Sequence, residues 1–445
     1  MNSELPDQNQ NVSEPSLDQR FAHRPHLRRR LLSIADMIDQ AVAEGCTAHE
    51  AEAQASAQIR KLGHEVLSDW AAKSEQDAVA KAQQNDPRLP PYRKRKLLTW
   101  HSTYGAIRLA EQRRRQGRRG VQVRPFCERA KIKQTAYSRP LPRALTDFGA
   151  EESFVRAPRK MRAHYGIELP ASGARPQTLT HAKASGGREP EAPKPAVKTL
   201  VTEMDGCLLP IVAPGTDPRG DRRKGQQLSW REARLCCARS QDAGDCVYGA
   251  PFGSVQLAGG LWRQTACAAG LGSDTQVHGL GEGAPWMVSP FEEQFGAGQA
   301  ARATYTVDFP HVSDYLAAAA LVVAPQRNKD WLHEQQAHWL ENQVGPVLRT
   351  LKKNAEPPEQ KAAPVRSAYG YMSERQQYMD YAGARAAGLP IGSGEVESGH
   401  RHVLQKRLKI AGAWWREPNA EAMLHLRAAR ANYDWDKYWS EIERN

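Results

Sequence analysis

The chain has 445 residues, a mean hydropathy of −0.67 and a net charge of +12, from 62 Lys and Arg against 50 Asp and Glu; that is long enough for several domains and a real core. The longest apolar run, Tyr315 to Ala324, is too short to span a bilayer, and the first residues lack the apolar stretch of a signal peptide. Seven scattered cysteines include no CxxC pair, which argues against a zinc module and for a reducing compartment, so a soluble cytoplasmic protein is expected.

Residues 1–19 are polar and read as a disordered tail. In 20–90, apolar residues recur at helical spacing through Leu31, Leu32, Ile34, Ala35, Met37 and Ile38, predicting one helix. A second is predicted from Ala48 to Ala82, with Ile59, Leu62, Val66, Leu67 and Trp70 on one face, ending before Pro87, Pro90 and Pro91.

The stretch 91–169 is strongly basic. Fourteen Lys or Arg lie between Arg93 and Lys133 against two acids, Glu111 and Glu128. Among them are Arg93, Lys94, Arg95, Lys96, Arg113, Arg114, Arg115, Arg118 and Arg119, interleaved with Trp100, His101, Tyr104, Phe126 and Tyr137. Such a concentration suits contacts to phosphates. Leu97 to Leu109 is strand-like. Leu141 to Tyr165 reads as helix, turn at Gly149, helix; this is a helix-turn-helix-like unit in which Pro158 is expected to kink or end the second helix. The other reading is a helical hairpin with no nucleic-acid contact.

Residues 170–197, rich in Pro, Gly, Ser and Ala, are expected as a linker. From 198 the pattern alternates. Strands are predicted at Thr199 to Met204, Leu208 to Val212, Arg231 to Ala238, Thr275 to Leu280 and Thr304 to Phe309, with helices at Gly260 to Gly270 and Ser313 to Val323. This is the texture of an α/β domain. A helical insertion follows at about 326–388, interrupted by Pro357 and Pro358.

Four carboxylates stand out. Asp205 ends an apolar run before Gly206, where Asp-Gly is also a common hairpin turn. Glu282 sits between Gly281 and Gly283 just after a predicted strand, a place where open α/β sheets bind ligands, although a plain surface turn reads equally well. Asp308 ends another strand and is either an alternative to Glu282 or a helix cap.

The last is in Pro390-Ile391-Gly392-Ser393-Gly394-Glu395-Val396-Glu397, a glycine turn launching a helix that runs into Arg401, Lys406, Arg407 and Lys409. At 100° per residue Glu397 borders the face set by Val396, Val403, Leu404, Leu408 and Ala411, whereas Glu395 is expected to face solvent. Glu397 and Arg401 also have the spacing of an ordinary helical ion pair. Asp205, Glu282 and Glu397 together would hold two divalent cations, Mg²⁺ or Mn²⁺, at about 3.5–4 Å, for an in-line displacement at phosphorus.

From about residue 93 onward the chain resembles the DDE-type transposases of bacterial insertion sequences, the Kra-type family in particular. The likeness lies in Trp100-His101-Ser102-Thr103-Tyr104-Gly105, Leu145 through Phe154, His164-Tyr165-Gly166-Ile167, Met204-Asp205-Gly206, Trp230-Arg231-Glu232, Gly281 through Trp286, Val307 through Val312, and Pro390 through Ser398. Lys406 through Lys409, Leu426-Arg427-Ala428 and Trp435 through Trp439 complete it. The resemblance implies an RNase H-like catalytic domain over 198–445 with a helical insertion, preceded by a mostly helical DNA-binding region. It also implies cleavage and strand transfer at the inverted repeats of an element, target DNA as a second partner, oligomers on DNA, and a bacterial, nucleoid-associated location.

Asp205 takes the position of the first acid and Glu397 of the last. The family's second acid is an Asp, replaced here by Glu282, whose extra methylene would move the ligating oxygens by roughly an ångström. An impaired descendant that only binds DNA, and a metal-dependent nuclease without strand transfer, are the rival readings.

Overall fold

The computed structural model describes residues 16–87, 90–92, 94–115, 122–132, 137–186, 194–213, 215, 225–356 and 362–444. Two compact units divide the chain: Met1–Phe148 with Phe154–Ala174, and Gly149–Ser153 with Arg175–Asn445.

In the first unit, Ser16 caps α1 (Leu17–Phe21) through a capping box with Gln19, so the last residues of the stretch expected as a tail are helical, while 1–15 lie outside the described residues. The helix α2 (Pro25–Ala43) opens on Pro25, and α3 (Ala48–Asn85) opens on a second capping box, Thr47 with Glu50. The face expected to bury Ile59, Val66 and Trp70 leaves all three exposed; the fully buried positions of α3 are Ala71, Glu75 and Ala78. A β-hairpin and a short helix pack against this end of α3, over Ala71 and Ala78, while buried Glu75 accepts the Gln112 amide at 2.8 Å.

That hairpin is β1 (Lys96–Ser102) with β2 (Gly105–Glu111), where one strand-like segment was expected. Gly105 takes a φ of 108° in its turn. A two-stranded ribbon, β3 (Arg114–Arg115) with β4 (Gln122–Val123), and α4 (Pro125–Arg129) follow. Buried Glu111 is satisfied by Arg124 at 2.7 Å and the Cys127 amide at 3.0 Å.

Next come α5 (Pro140–Glu151) and α6 (Arg156–Tyr165), which ends at left-handed Gly166. Gly149, expected at the turn, lies inside α5. Pro158 neither kinks nor ends α6, because it falls in the first turn, where the missing amide has no intrahelical partner to lose. The residues expected as a linker carry α7 (Ala171–Ser185), which buries Ala174, Leu179 and Ala182 despite Pro176.

The second unit is a mixed α/β structure around a five-stranded sheet in the order β7-β6-β5-β8-β9. Its strands are β5 (Thr199–Ala213), β6 (Gln227–Ser240), β7 (Val247–Gly249), β8 (Gln276–Gly281) and β9 (Arg302–Val307). β5 and β6 pair antiparallel, as do β6 and β7, while β8 runs parallel to both β5 and β9. Asp205-Gly206 makes no turn: β5 is continuous, with Asp205 opposite Leu235 and Gly206 opposite Arg234. An unbroken ladder from Leu200 to Ala213 outweighs the local turn preference of the dipeptide.

The helices α8 (Val255–Ala268) and α9 (Pro285–Phe295) cover one side, where Trp262, Phe291 and Phe295 pack together and Trp262 donates to Thr202. Then come α10 (Phe309–Val323), α11 (Asn328–Leu340), α12 (Val344–Ala355), α13 (Ala363–Arg375) and α14 (Tyr381–Ala386). Val347, Leu351, Val365 and Met372 join the same core as the sheet. The chain closes with α15 (Gly394–Gly399), a π-helical turn at His400–Gln405, α16 (Lys406–Leu408), α17 (Glu417–Ala431) and α18 (Trp435–Arg444).

Candidate active site

The ladders bring three carboxylates to one end of the sheet. β5 meets β8 in constant register up to Glu203 opposite Leu280, and β8 meets β9 up to Gly281 opposite Val307. Two residues further on β5 stands Asp205, and just past the ends of β8 and β9 stand Glu282 and Asp308. Strand side chains alternate in direction, so this alignment sets Asp205 and Glu282 beside each other. Burial first, then the Asp205 charge, raises the Glu282 pKa from its ordinary value.

Glu282 is held by its backbone. Its carbonyl accepts from Tyr371 Oη at 2.6 Å, and the Gly283 carbonyl from Arg375 Nε at 2.9 Å. Gly283 has a φ of 73°, and a Cβ there would meet Val307 at 2.7 Å, so this turn requires glycine.

Imidazoles face both acids. His311 Nε2 lies 3.5 Å from Glu282 Oε2, and its pKa is raised, first by its bond with Asp308 and then by the Glu282 and Asp205 charges. His400 Nε2 lies 3.3 Å from Asp205 Oδ2. Burial opposes its charge, but Asp205 and Cys207 outweigh it and bring its pKa up to about 9. Burial likewise opposes ionisation of Cys207, yet His400 and Lys409 bring that thiol below its ordinary value. Neither histidine was singled out from the sequence. The only signal was position, three residues after Asp308 and three after Glu397.

Asp308 is committed elsewhere. It caps α10 by accepting the His311 amide at 3.2 Å, and its other oxygen accepts the Ser393 amide at 2.9 Å. Glu203, buried two residues before Asp205, accepts the Val396 amide at 2.8 Å and has a pKa pushed up to about 7, chiefly by burial. His278 Nε2 lies 2.8 Å from the Pro390 carbonyl, and the Phe309 amide donates to Ile391 at 2.8 Å. The glycine turn therefore spends its Ser393 and Val396 amides on internal carboxylates rather than offering them to a phosphate. It is a fastening between β5, β8, α10 and α15.

Glu397 and Glu395 do not follow the expected pattern. Glu397 is exposed, whereas Glu395 is partly buried, 3.4 Å from Arg239. The extrapolation at 100° per residue fails because His400–Gln405 is a π turn, which rotates Val403, Leu404 and Leu408 relative to Val396. Close packing also sets the local face: a Cβ on Gly399 would meet Leu235 at 2.7 Å, so Val396, Gly399 and His400 point to the sheet and Glu397 points away.

Carboxylate oxygens are the right donors for Mg²⁺ or Mn²⁺, and a cation would relieve the like-charge contact between Asp205 and Glu282. Among the described residues no group of three or more His, Cys, Asp or Glu is close enough to hold a metal ion, so the expected trio of Asp205, Glu282 and Glu397 is not gathered into one.

Of the cations expected to bind DNA, Lys94, Arg95, Lys96, Arg401, Lys406 and Lys409 are exposed and Arg113 and Arg115 partly so, with Lys406 3.0 Å from Glu151. Arg93, Arg118 and Arg119 lie outside the described residues. Arg114 and Arg407 are buried, which removes them from a phosphate surface. Arg407 donates to the Gly149 carbonyl at 2.9 Å and covers the Trp415 ring at 4.8 Å; burial brings its pKa down to about 10.

No protein-family model matches this chain, and no curated protein sequence matches it. Among solved structures it is similar to a chain of the Drosophila P element transposase strand transfer complex, at 9% identity and a TM-score of 0.27, covering 71% of this chain and 83% of that one. No helix among the described residues is long and apolar enough to cross a membrane.

Proposed function

We propose that the protein is a transposase of the DDE type, cutting and joining DNA at the ends of an insertion sequence, with an RNase H-like catalytic domain in the second unit. The observation that carries this reading is the alignment of Asp205 with Glu282 on adjacent parallel strands, with the glycine-turn motif fastened to the same strands through Glu203 and Asp308. The strand order supports it too, because the strand bearing the first acid is central, antiparallel to one neighbour and parallel to the other.

Asp205 and Glu282 would hold Mg²⁺ or Mn²⁺, which when bound supplies positive charge to an attacking and a leaving oxygen. His400 and His311 orient the two carboxylates, and the Tyr371 and Arg375 contacts keep the Glu282 turn in place. In the second unit exposed Arg401 and Lys409, and in the first Lys94, Arg95 and Lys96, would each hold phosphates and supply affinity rather than sequence preference.

The test is incubation of the purified protein with labelled duplexes carrying the inverted repeats that flank its coding region. Metal-dependent cut and joined products are expected, lost in Asp205→Asn and Glu282→Gln while end binding persists. Bound ends that are never cut would defeat the enzymatic reading, and cut ends never joined would leave a nuclease. The exposed position of Glu397 favours the second reading, a descendant that binds DNA without cutting it; a gain of cleavage in Glu282→Asp would identify that case.

A further inference from the structure

The helix α2 carries an apolar stripe that is exposed among the described residues. Its contact with α3 runs through Leu27, the one fully buried residue of α2, and Arg30, which pairs with Glu65 at 2.6 Å. About a quarter turn from that side, Leu31, Ala35, Ile38 and Val42 fall on a single strip at 100° per residue. Leu31 is 41% exposed, Ile38 56% and Val42 78%, with Leu32 beside them at 55%. The spacing of Leu31 and Ile38 is a heptad.

Charge says what covers the stripe. The first half of α2 is basic, with Arg28 and Arg29; the second is acidic, with Asp36 and Asp39. Arg28 and Asp39 lie on the same flank of the stripe, where antiparallel paired helices present matching positions to each other. In the register that sets Leu31 of one helix against Ile38 of another, Arg28 and Asp39 come within two residues of facing, about 3 Å of helical rise. Parallel pairing would instead set this flank against the opposite flank of the partner, so Arg28 and Asp39 would not meet.

We propose that α2 is a dimerisation helix whose occupant is α2 of a second copy of this chain, packed antiparallel about a two-fold axis. The exposed Arg28–Asp18 ion pair, at 2.9 Å, exchanges for the one between copies. The proposal does not depend on catalysis, and mass alone reads it.

The full chain without DNA, followed by sedimentation equilibrium, is expected at twice its monomer mass, and the double variant Leu31→Glu with Ile38→Glu at monomer mass with unchanged helical circular dichroism. Surface charge provides a second test that leaves the apolar residues alone. Arg28→Asp and Asp39→Arg should each weaken self-association by about tenfold, and an equimolar mixture of the two should recover it as a mixed dimer. A wild type that stays monomeric into the high micromolar range, a dimer indifferent to the glutamates, or a mixture no tighter than its components would overturn the proposal.

Discussion

Replacing Asp308 by Ala tests whether the glycine turn is fastened as described. Asp308 is 5% exposed, with one carboxylate oxygen on the His311 amide at 3.2 Å and the other on the Ser393 amide at 2.9 Å. Alanine removes an N-cap, costing about 1 kcal/mol, and leaves the buried Ser393 amide without its acceptor, costing about 2 kcal/mol more. A total near 3 kcal/mol corresponds to roughly 6–10 °C in the melting temperature of the second unit. Asn caps as well as Asp but brings one oxygen to two donors, so Asp308→Asn should recover about half of the loss.

Calorimetry measures the stability, and hydrogen exchange at the Ser393 amide reports the turn itself, which should lose protection in Asp308→Ala. A loss below about 1 kcal/mol with Ser393 still protected would refute the reasoning. The Asn variant also separates the two carboxylates: activity should survive Asp308→Asn and disappear in Glu282→Gln, and the reverse result would make Asp308 the second acid.

Two neighbouring cations should behave oppositely: Lys409→Ala is expected to weaken DNA binding for all sequences and reduce the salt slope by about 1, whereas Arg407→Ala should leave the slope alone and cost about 3 kcal/mol in urea unfolding, because it empties a buried site. Asn432 pairs with both backbone groups of Tyr248 on edge strand β7, at 2.8 and 2.9 Å, so Asn432→Ala should cost about 2 kcal/mol and promote aggregation, seen by light scattering on heating. Burial lowers the His181 pKa to about 4 from its ordinary 6.5; the unfolded chain then binds the extra proton between those values, so its contribution is complete above pH 6.5 and is lost as pH falls toward 4. The loss should be about 1–3 kcal/mol and should be smaller in His181→Phe, measured by urea unfolding at pH 7 and pH 4.5.

Near-neighbour pattern was enough for the long helices and most strands. Apolar spacing in α2 and α3 and the capping Thr47 with Glu50 are local facts, and helix formation responds to them locally. The strand ends at Glu282 and Asp308 were visible for the same reason. What local signals misjudged was decided by distant partners. Asp205-Gly206 has the composition of a turn but lies mid-strand because β6, some thirty residues later, pairs with it throughout. The π turn after Gly399 and the buried side of α15 follow from Leu235 and Tyr248, which leave no room for a Cβ.

The roles of the charged residues belong to the tertiary structure most of all. A carboxylate's capacity depends on what already occupies its oxygens, and Asp308 is filled by an amide 85 positions away, whereas Asp205 and Glu282 meet across a sheet register and face histidines. Sequence alone selects hard oxygen donors and a concentration of cations, because residue type sets charge and donor chemistry. Only the packed chain decides which of them reach solvent, which reach each other, and which, like Arg407, are spent inside, because burial and distance set the energy of every charge.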